Sequence, residues 1–355
     1  MYYKTSYTCM AIEGNNLKML GLGTYQYEVK EDEFKDSLKL LNFTIQPKKK
    51  DEITKFMTEN NIQNNILEKL LKQKLITDNE LILKKTDTMD FKNFLYSDLV
   101  SPNPKKANEN FKKTTFLILG TGGIGNFMSY ALATHTPKKI ILLDGDIIER
   151  SNLNRQFMFK TKDLNLLKAN VLGTELKARN PELNVEVIPD FIDESVLERV
   201  LNNINGPILG ILSADGTNAV YSASKVFSKY HIPFLNIGYL NDISIIGPFF
   251  IPSVSCCPYC HNAFSIDVKS NIDISNNLIS KINQNFSAPS HFVNNALSTS
   301  MAMNEIIQFM SGNIEGMHSI NKRFGIDVVN FNKYYIKSSI DANCKYCIED
   351  ADYEK

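Results

Sequence analysis

The sequence has no excess charge of either sign and no long apolar run. Its 39 basic residues balance its 39 acidic residues, so no overall field favours nucleic acid or an anionic membrane surface. No apolar run approaches the roughly 20 residues of a membrane span, and the opening MYYKTSYTCM lacks the basic-then-apolar pattern of a signal peptide. We therefore expect a cytoplasmic protein whose partners bind local sites and include neither nucleic acid nor membrane.

Histidine and cysteine are also scarce. The five histidines lie in unrelated surroundings, and we assign none of them a catalytic role. In a reducing compartment, six cysteines seldom indicate structural disulfides. Four of them form two pairs, CPYC at 257–260 and CKYC at 344–347, and two such pairs supply the four thiolates of a closed structural zinc site. The expected zinc ligands, which would tie the end of the chain to the domain, are Cys257, Cys260, Cys344 and Cys347.

The composition changes near residue 100. Residues 1–100 begin with apparent strands and continue with apolar residues spaced three and four apart, as in amphipathic helices. The extended piece NELILKK follows, so the segment resembles a winged helix-turn-helix. At neutral net charge we expect it to dock a peptide or partner, with plain scaffolding or DNA binding as alternatives. Residues 101–113 contain two prolines and read as a linker.

Residues 114–355 alternate apolar strands with helical segments, which predicts an α/β fold with a doubly wound, Rossmann-like sheet. Ligands in such sheets bind beyond the carboxyl ends of the strands. The loop GTGGIG at 120–125 falls at such an end and matches G-x-G-x-x-G. Its glycines would allow a tight turn, a close approach of backbone to phosphate and close packing of helix on strand. They are Gly120, Gly122, Gly123 and Gly125.

Asp144 follows the next strand, where it would hydrogen-bond ribose hydroxyls. The loop and this carboxylate suit NAD and a nucleoside triphosphate equally well. The segment ERSNLNRQF favours the triphosphate, because an arginine and several amides crowded together suit a polyphosphate. The residues that we assign to the nucleotide in and around this segment are Asp146, Asn152, Asn154, Arg155, Gln156 and Lys168.

Two of these assignments have plain alternatives. Lys168 supplies a second positive charge to the phosphates, or it is a solvated helix residue. Asp215, three residues after the end of the apolar run PILGIL, is placed to hold Mg²⁺, to cap the next helix, or to do both.

Together, these motifs in this order resemble the adenylating ThiF/MoeB superfamily, which includes the activators of ubiquitin and of the ThiS and MoaD sulfur carriers. The resemblance covers roughly residues 111–347. It implies a homodimer that binds ATP, Mg²⁺ and zinc and transfers AMP to a polypeptide C terminus. It also implies a catalytic role for Asp215 through Mg²⁺, with Arg155 and Lys168 neutralising charge on the reacting phosphates.

Within that superfamily, the stretches NIGYLNDISIIGPFFIP and FSAPSHFVNNALS are most similar to the branch that modifies the microcin C precursor. That resemblance implies a short ribosomal peptide ending in Asn, held by residues 1–100 as a clamp. The terminal carboxylate is adenylated, the Asn amide closes a succinimide, and the succinimide nitrogen takes a nucleotide from a second triphosphate. The sequence leaves open whether ATP or another triphosphate such as CTP is used.

Other interpretations remain open at this point. Activation of a ubiquitin-like or sulfur-carrier protein is the main alternative, although a thioester mechanism would have only Cys256, next to a zinc ligand. A dehydrogenase has no use for NLNRQ, and a docking protein has none for a complete phosphate site. One departure concerns Lys92, which stands where many family members carry an arginine that reaches the partner subunit's phosphates. A lysine lacks the bidentate fork.

Overall fold

A computed structural model describes residues 1–15, 17–214, 217–262, 281–282 and 284–344. Two compact units share the chain. The first contains Met1–Glu109 and Ser311–Asn313, and the second contains Asn110–Met310 and Ile314–Lys355.

The first unit combines two small antiparallel sheets with helices. Its strands form the orders β5-β1-β6 and β2-β3-β4, around a core that includes Phe34, Leu40, Ile53 and Leu70. The elements are β1 (Tyr2–Thr5), β2 (Ala11–Gly14), β3 (Leu17–Leu20), β4 (Tyr27–Glu28), α1 (Glu31–Phe43), β5 (Lys48–Lys49), α2 (Lys50–Glu59), α3 (Asn65–Lys72), β6 (Ile76–Thr77) and α4 (Phe91–Val100).

The extended conformation expected for NELILKK is wrong. Glu80–Ile82 form a 3₁₀ turn, because the Asn79 Oδ1 atom accepts a hydrogen bond from the Leu81 N–H at 3.2 Å. The Asn79 amide also donates to buried Asp98 at 3.1 Å. These local bonds offer the backbone an alternative to strand pairing, so the wing expected after the helices is not formed by this segment.

Residues 104–113, expected to be irregular, form helix α5 (Pro104–Lys113). Proline is tolerated in the first helical turn because its missing N–H would lack a partner there. The Asn103 Oδ1 atom caps this turn by accepting from the Lys106 N–H at 3.1 Å. Ala107 and Phe111, four residues apart, are buried. The capping asparagine and this apolar pair were the signals that sequence inspection missed.

The second unit contains a mixed sheet with eight described strands, which confirms the α/β prediction. The strand order is β14-β13-β12-β11-β10-β7-β8-β9. The five strands β11, β10, β7, β8 and β9 pair in parallel with one another. Strands β12, β13 and β14 pair antiparallel with their neighbours. The elements are β7 (Thr115–Leu119), α6 (Gly123–Ala133), β8 (Lys139–Leu143), α7 (Lys168–Arg179), β9 (Val185–Ile188), α8 (Glu194–Leu201), β10 (Ile208–Leu212), α9 (Thr217–Lys229), β11 (Phe234–Leu240), β12 (Ile243–Phe250), α10 (Phe292–Ser311), β13 (Lys322–Asp327) and β14 (Lys333–Lys337).

Strand order reverses between β7 and β10, which are neighbours although the chain visits β8 and β9 between them. Such a switch point leaves a crevice at the carboxyl ends of the two strands, and ligands bind there. All five residues of β7 are buried, so the strand is a rigid support for the loop that follows it.

The packing of helix α9 against the sheet allows a prediction about the free energy of unfolding. Phe227 on α9 is fully buried, and its ring lies 5.3 Å from the Phe234 ring, centroid to centroid. We expect Phe227→Ala to lower the free energy of unfolding by about 3 to 5 kcal/mol, because it leaves a cavity. Urea unfolding followed by circular dichroism measures this change. Phe191→Ala, the same deletion at a ring that is 66% exposed, is the control, and equal losses for both variants would contradict the packing described.

Candidate nucleotide-binding site

The glycine loop connects β7 to α6 through two close backbone approaches. Gly120 has a φ of +90°, and a Cβ atom there would lie 2.9 Å from the Ala214 N atom. A Cβ atom on Gly125 would lie 2.0 Å from the Gly120 carbonyl oxygen. No side chain fits in either place, so both glycines are required by the contact between strand and helix. The free N–H groups at the start of α6 therefore face the switch point, as an anion site requires.

Asp144 braces this loop from the end of β8. One carboxylate oxygen accepts hydrogen bonds from the Thr121 N–H at 2.6 Å and the Thr121 hydroxyl at 2.9 Å. The other oxygen accepts from the Asp146 N–H at 2.8 Å. The carboxylate predicted to meet a ribose thus also joins the glycine loop to the next segment.

Lys168 is brought to the same region with a carboxylate partner. Its ammonium lies 2.8 Å from the Asp146 carboxylate, and the lysine side chain is 11% exposed whereas the aspartate side chain is 57% exposed. The Lys168 N–H also donates to the Asp146 carbonyl oxygen at 2.9 Å. Lys168 is therefore not a solvated helix residue. It is a nearly buried cation at the N terminus of α7.

Arg155 is held at the end of the 3₁₀ turn Arg150–Asn154. Its Nη1 atom donates to the Asn154 Oδ1 atom at 2.8 Å and to the Ser151 carbonyl oxygen at 3.0 Å. Its Nε and Nη2 atoms make no hydrogen bond to the described part of the chain. One edge of the guanidinium is thus fixed by the protein, and the other edge can receive a phosphate.

The two remaining amides of NLNRQ are buried. The Asn152 Oδ1 atom accepts from the Glu149 N–H at 2.9 Å and shapes the turn itself. The Gln156 Nε2 atom lies 3.7 Å from where a Cβ atom on Gly122 would be. The Gln156 Oε1 atom has no partner among the described residues. Gln156 thus places a polar amide directly against the glycine loop.

Two residues that sequence inspection did not assign complete this region. The Asn295 Oδ1 atom lies 2.3 Å from the position of a Cβ atom on Gly123. The Ser290 carbonyl oxygen accepts from the Asn154 amide at 3.1 Å. Both residues belong to the stretch SAPSHFVNN. Its concentration of polar residues around the start of a helix was the sequence signal that could have indicated a site. Only the fold reveals that this stretch, more than a hundred residues along the chain, meets the loop.

Two assigned residues are not part of this geometry. Asp215 lies outside the described residues. Lys92 is exposed on α4, in the first unit, and its role remains a prediction.

Three of the four assigned cysteines form a buried cluster. The Cys257 sulfur lies 3.8 Å from the Cys260 sulfur and 3.5 Å from the Cys344 sulfur, and all three sulfurs lie within 4.8 Å of one another. Four sulfurs at about 2.3 Å from a tetrahedral zinc would be separated by about 3.8 Å, so the spacing fits thiolate coordination of zinc. Cys347 lies outside the described residues.

Gly125 allows a direct test of the loop geometry. Gly125→Ala would push the start of α6 away from β7, because the added methyl would overlap the Gly120 carbonyl oxygen. We expect at least about tenfold weaker ATP binding, since the N–H groups that face the phosphates move, as measured by equilibrium dialysis. Gly14→Ala is the control, because a Cβ atom there meets nothing closer than 3.9 Å. Unchanged ATP binding by the Gly125 variant would show that the loop does not hold the phosphates.

Several of the similar solved structures are of one enzyme, MccB. Escherichia coli MccB in a complex with MccA-N7isoASN is 27% identical, with a TM-score of 0.85, and the match covers 98% of this chain and 100% of that chain. E. coli MccB with ATP is 25% identical with a TM-score of 0.83 and the same coverage. The expected similarity to the microcin C branch is thereby confirmed.

Curated relatives match a shorter part of the chain. A probable molybdopterin-synthase adenylyltransferase from Gracilaria tenuistipitata var. liui is 28% identical over 144 residues, which is 40% of either protein. Human ubiquitin-like modifier-activating enzyme 1 is 27% identical over 169 residues, or 45% of this chain and 16% of the human protein. The match thus spans less than half the length of either relative.

The described helices include none that is long and apolar enough to cross a membrane. The model of the ThiF family matches residues 96–346, a range that contains the glycine loop, the segment NLNRQ, Lys168 and three of the four paired cysteines, Cys257, Cys260 and Cys344. The chain therefore belongs to the ThiF family, and the expectation of an ATP-dependent adenylating enzyme is confirmed at the level of this family.

Proposed function

We propose that this protein nucleotidylates the C-terminal Asn of a short ribosomal peptide, in the biosynthesis of a microcin C-like peptide–nucleotide antibiotic. The observation that carries the proposal is the extent of the similarity to MccB, which covers 98% of this chain and 100% of that one. The similarity therefore includes the first unit, whereas carrier-activating relatives match only 40 to 45% of the chain.

Nucleotide binding follows from the site geometry. The N–H groups at the start of α6 would hold the α-phosphate, and Arg155 and Lys168 would neutralise the β- and γ-phosphates. Asn152, Asn154 and Gln156 shape and support this surface. Asp144 would meet the ribose while bracing the loop, and Asp146 lies at the same end of β8.

The proposed chemistry takes place in two rounds. In the first, the peptide carboxylate attacks the α-phosphate of ATP and pyrophosphate leaves. The nitrogen of the Asn side-chain amide then attacks the activated carbonyl and loses one of its two protons to solvent, a C–N bond closes the succinimide, and the C–O bond to AMP breaks so that AMP leaves. In the second round, the succinimide nitrogen loses its proton and attacks the α-phosphate of another triphosphate, and pyrophosphate leaves again. A solved structure of E. coli MccB with succinimide supports a succinimide as the intermediate.

The residues of the proposed nucleotide site would position the reactants and neutralise their charge. These are the main contributions that a protein makes to the transfer of a phosphoryl or nucleotidyl group. Arg155 and Lys168 would stabilise the charge that develops on the leaving pyrophosphate. Mg²⁺, when bound with Asp215 as its protein ligand, would supply further positive charge at the same oxygens.

The first unit would serve as a peptide clamp, and the enzyme would act as a cytoplasmic homodimer. Lys92 would take the place of the arginine that family members extend into the partner's site.

A thioester route is unfavourable because Cys256 is fully buried beside Cys257, so its thiol could not reach a carrier. This favours the peptide over a ubiquitin-like protein.

Mass spectrometry of the reaction products tests the proposal. Synthetic peptides ending in Asn, taken from short reading frames beside the gene, would be incubated with the protein, Mg²⁺ and each triphosphate. We expect a peptide joined through nitrogen to one nucleotide, with release of pyrophosphate. The matched peptide ending in Asp should support adenylate formation without a stable N–P product, because it lacks the amide nitrogen. Modification of a folded ubiquitin-like carrier, with no short peptide accepted, would refute the proposal.

Zinc would be bound by Cys257, Cys260, Cys344 and Cys347. The short sulfur–sulfur distances and the complete burial of Cys257 and Cys260 support this assignment. Such a closed site stabilises the fold and takes no part in catalysis.

Elemental analysis of purified variants tests the zinc assignment. The wild-type protein should carry about one zinc ion per chain, and Cys257→Ser should lose most of it and unfold at a lower temperature, because one thiolate ligand is missing. Cys9→Ser, which changes a half-buried cysteine in the first unit, should keep both the zinc and the melting temperature. Retention of zinc by the Cys257 variant would exclude the cluster as the site.

A further inference from the structure

We propose that Asn295 is a positioning residue that sets the orientation of Arg155 toward the triphosphate; this rests on the nucleotide-binding role proposed above. Asn295 lies in the first turn of α10 and is 2% exposed. It belongs to none of the motifs that hold the nucleotide, yet its side chain touches the glycine loop.

The contact with the loop is tight. The Asn295 Oδ1 and Cγ atoms lie 2.3 Å and 2.7 Å from the position of a Cβ atom on Gly123. The side-chain amide therefore rests directly on the backbone of the first residue of α6. Any shift of α10 would be felt at the N–H groups that face the phosphates.

The other end of the same amide holds the segment that supports Arg155. The Asn295 Nδ2 atom donates to the His291 carbonyl oxygen at 2.6 Å and to the Ser290 hydroxyl at 3.2 Å. This fixes the Ser290–His291 peptide, and the Ser290 carbonyl oxygen accepts from the Asn154 amide at 3.1 Å.

Asn154 completes the connection. Its Oδ1 atom accepts from the Arg155 Nη1 atom at 2.8 Å, while its Nδ2 atom is committed to Ser290. Because both ends of the Asn154 side-chain amide are hydrogen-bonded to protein, the amide has one orientation. It therefore holds the Arg155 guanidinium in place. The contacts thus run from Gly123 through Asn295, Ser290 and Asn154 to Arg155.

The beginning of α10 is itself anchored, so it can impose this geometry. The neighbouring Asn294 is buried and donates to the Asn241 carbonyl oxygen at 3.2 Å in the β11–β12 turn. The Ser244 hydroxyl on β12 donates to the Asn294 carbonyl oxygen at 3.0 Å, and the Ser298 hydroxyl donates to the Gly238 carbonyl oxygen at 2.7 Å on β11. The antiparallel half of the sheet therefore supports the phosphate site through α10.

A double-mutant cycle on the full-length protein tests this role, with the dissociation constant of ATP measured by equilibrium dialysis in the presence of Mg²⁺. We expect Asn295→Ala to weaken ATP binding about tenfold in the wild-type background and less than about threefold when Arg155 is already Ala, because residues of one network are non-additive. Ser300→Ala, on the exposed side of the same helix, should leave binding unchanged, because among the described residues its hydroxyl bonds only to the local Ala296 carbonyl oxygen.

A merely structural Asn295 would lower stability and weaken binding equally in both backgrounds, and that additivity would overturn the proposal. An Asn295 variant that binds ATP normally would also overturn it. Should Asn295→Ala fail to fold, Asn154→Ala replaces it: the residue is exposed, and the same non-additivity with Arg155→Ala is expected. If Arg155→Ala alone leaves ATP binding unchanged, the phosphate assignment under the proposed function fails as well, which separates the two failures.

Discussion

The contact between Gly125 and the Gly120 carbonyl oxygen is the constraint on which the nucleotide site depends. It brings the start of α6 onto the end of β7, so that the unpaired N–H groups of the helix face the switch point in the sheet. Asp144 then ties the loop to the end of β8 through Thr121 and Asp146. In the proposed function, the cations and amides farther along the chain would act on a phosphate that this backbone geometry positions.

The parallel part of the sheet in the second unit could be predicted from its sequence, because short apolar runs and helical periodicity are local signals. The antiparallel strands β12, β13 and β14 were not predicted. The glycine loop was predictable from its local pattern, but part of the steric demand on it was not, because Gly120 meets Ala214 and Gly123 meets Asn295 from distant parts of the chain. The first unit was harder to predict. In NELILKK, the hydrogen bonds of one asparagine outweighed β propensity, and in residues 104–113 an asparagine cap and two apolar residues formed a helix in spite of two nearby prolines.

The candidate site was predictable as a set of residue types and not as a set of contacts. Arg155, Lys168 and Gln156 could be assigned to phosphates from their chemistry, but the ion pair between Lys168 and Asp146 depends on how two segments fold together. Asn295 and Ser290 are more than a hundred residues from the loop that they support. No periodicity or spacing reports such a contact, and only tertiary structure brings the two segments together.

The pairing of Lys168 with Asp146 also bears on how the site handles charge. The ammonium is nearly buried, whereas the carboxylate is more than half exposed. Burying an uncompensated charge is costly, but an exposed carboxylate returns to water with little loss. A phosphate bound by Lys168, as proposed, would therefore replace Asp146 beside the lysine as Asp146 turns outward. The lysine would pass from one anion to another without being left unneutralised, so the protein would hold a cation in its interior before and after the substrate binds.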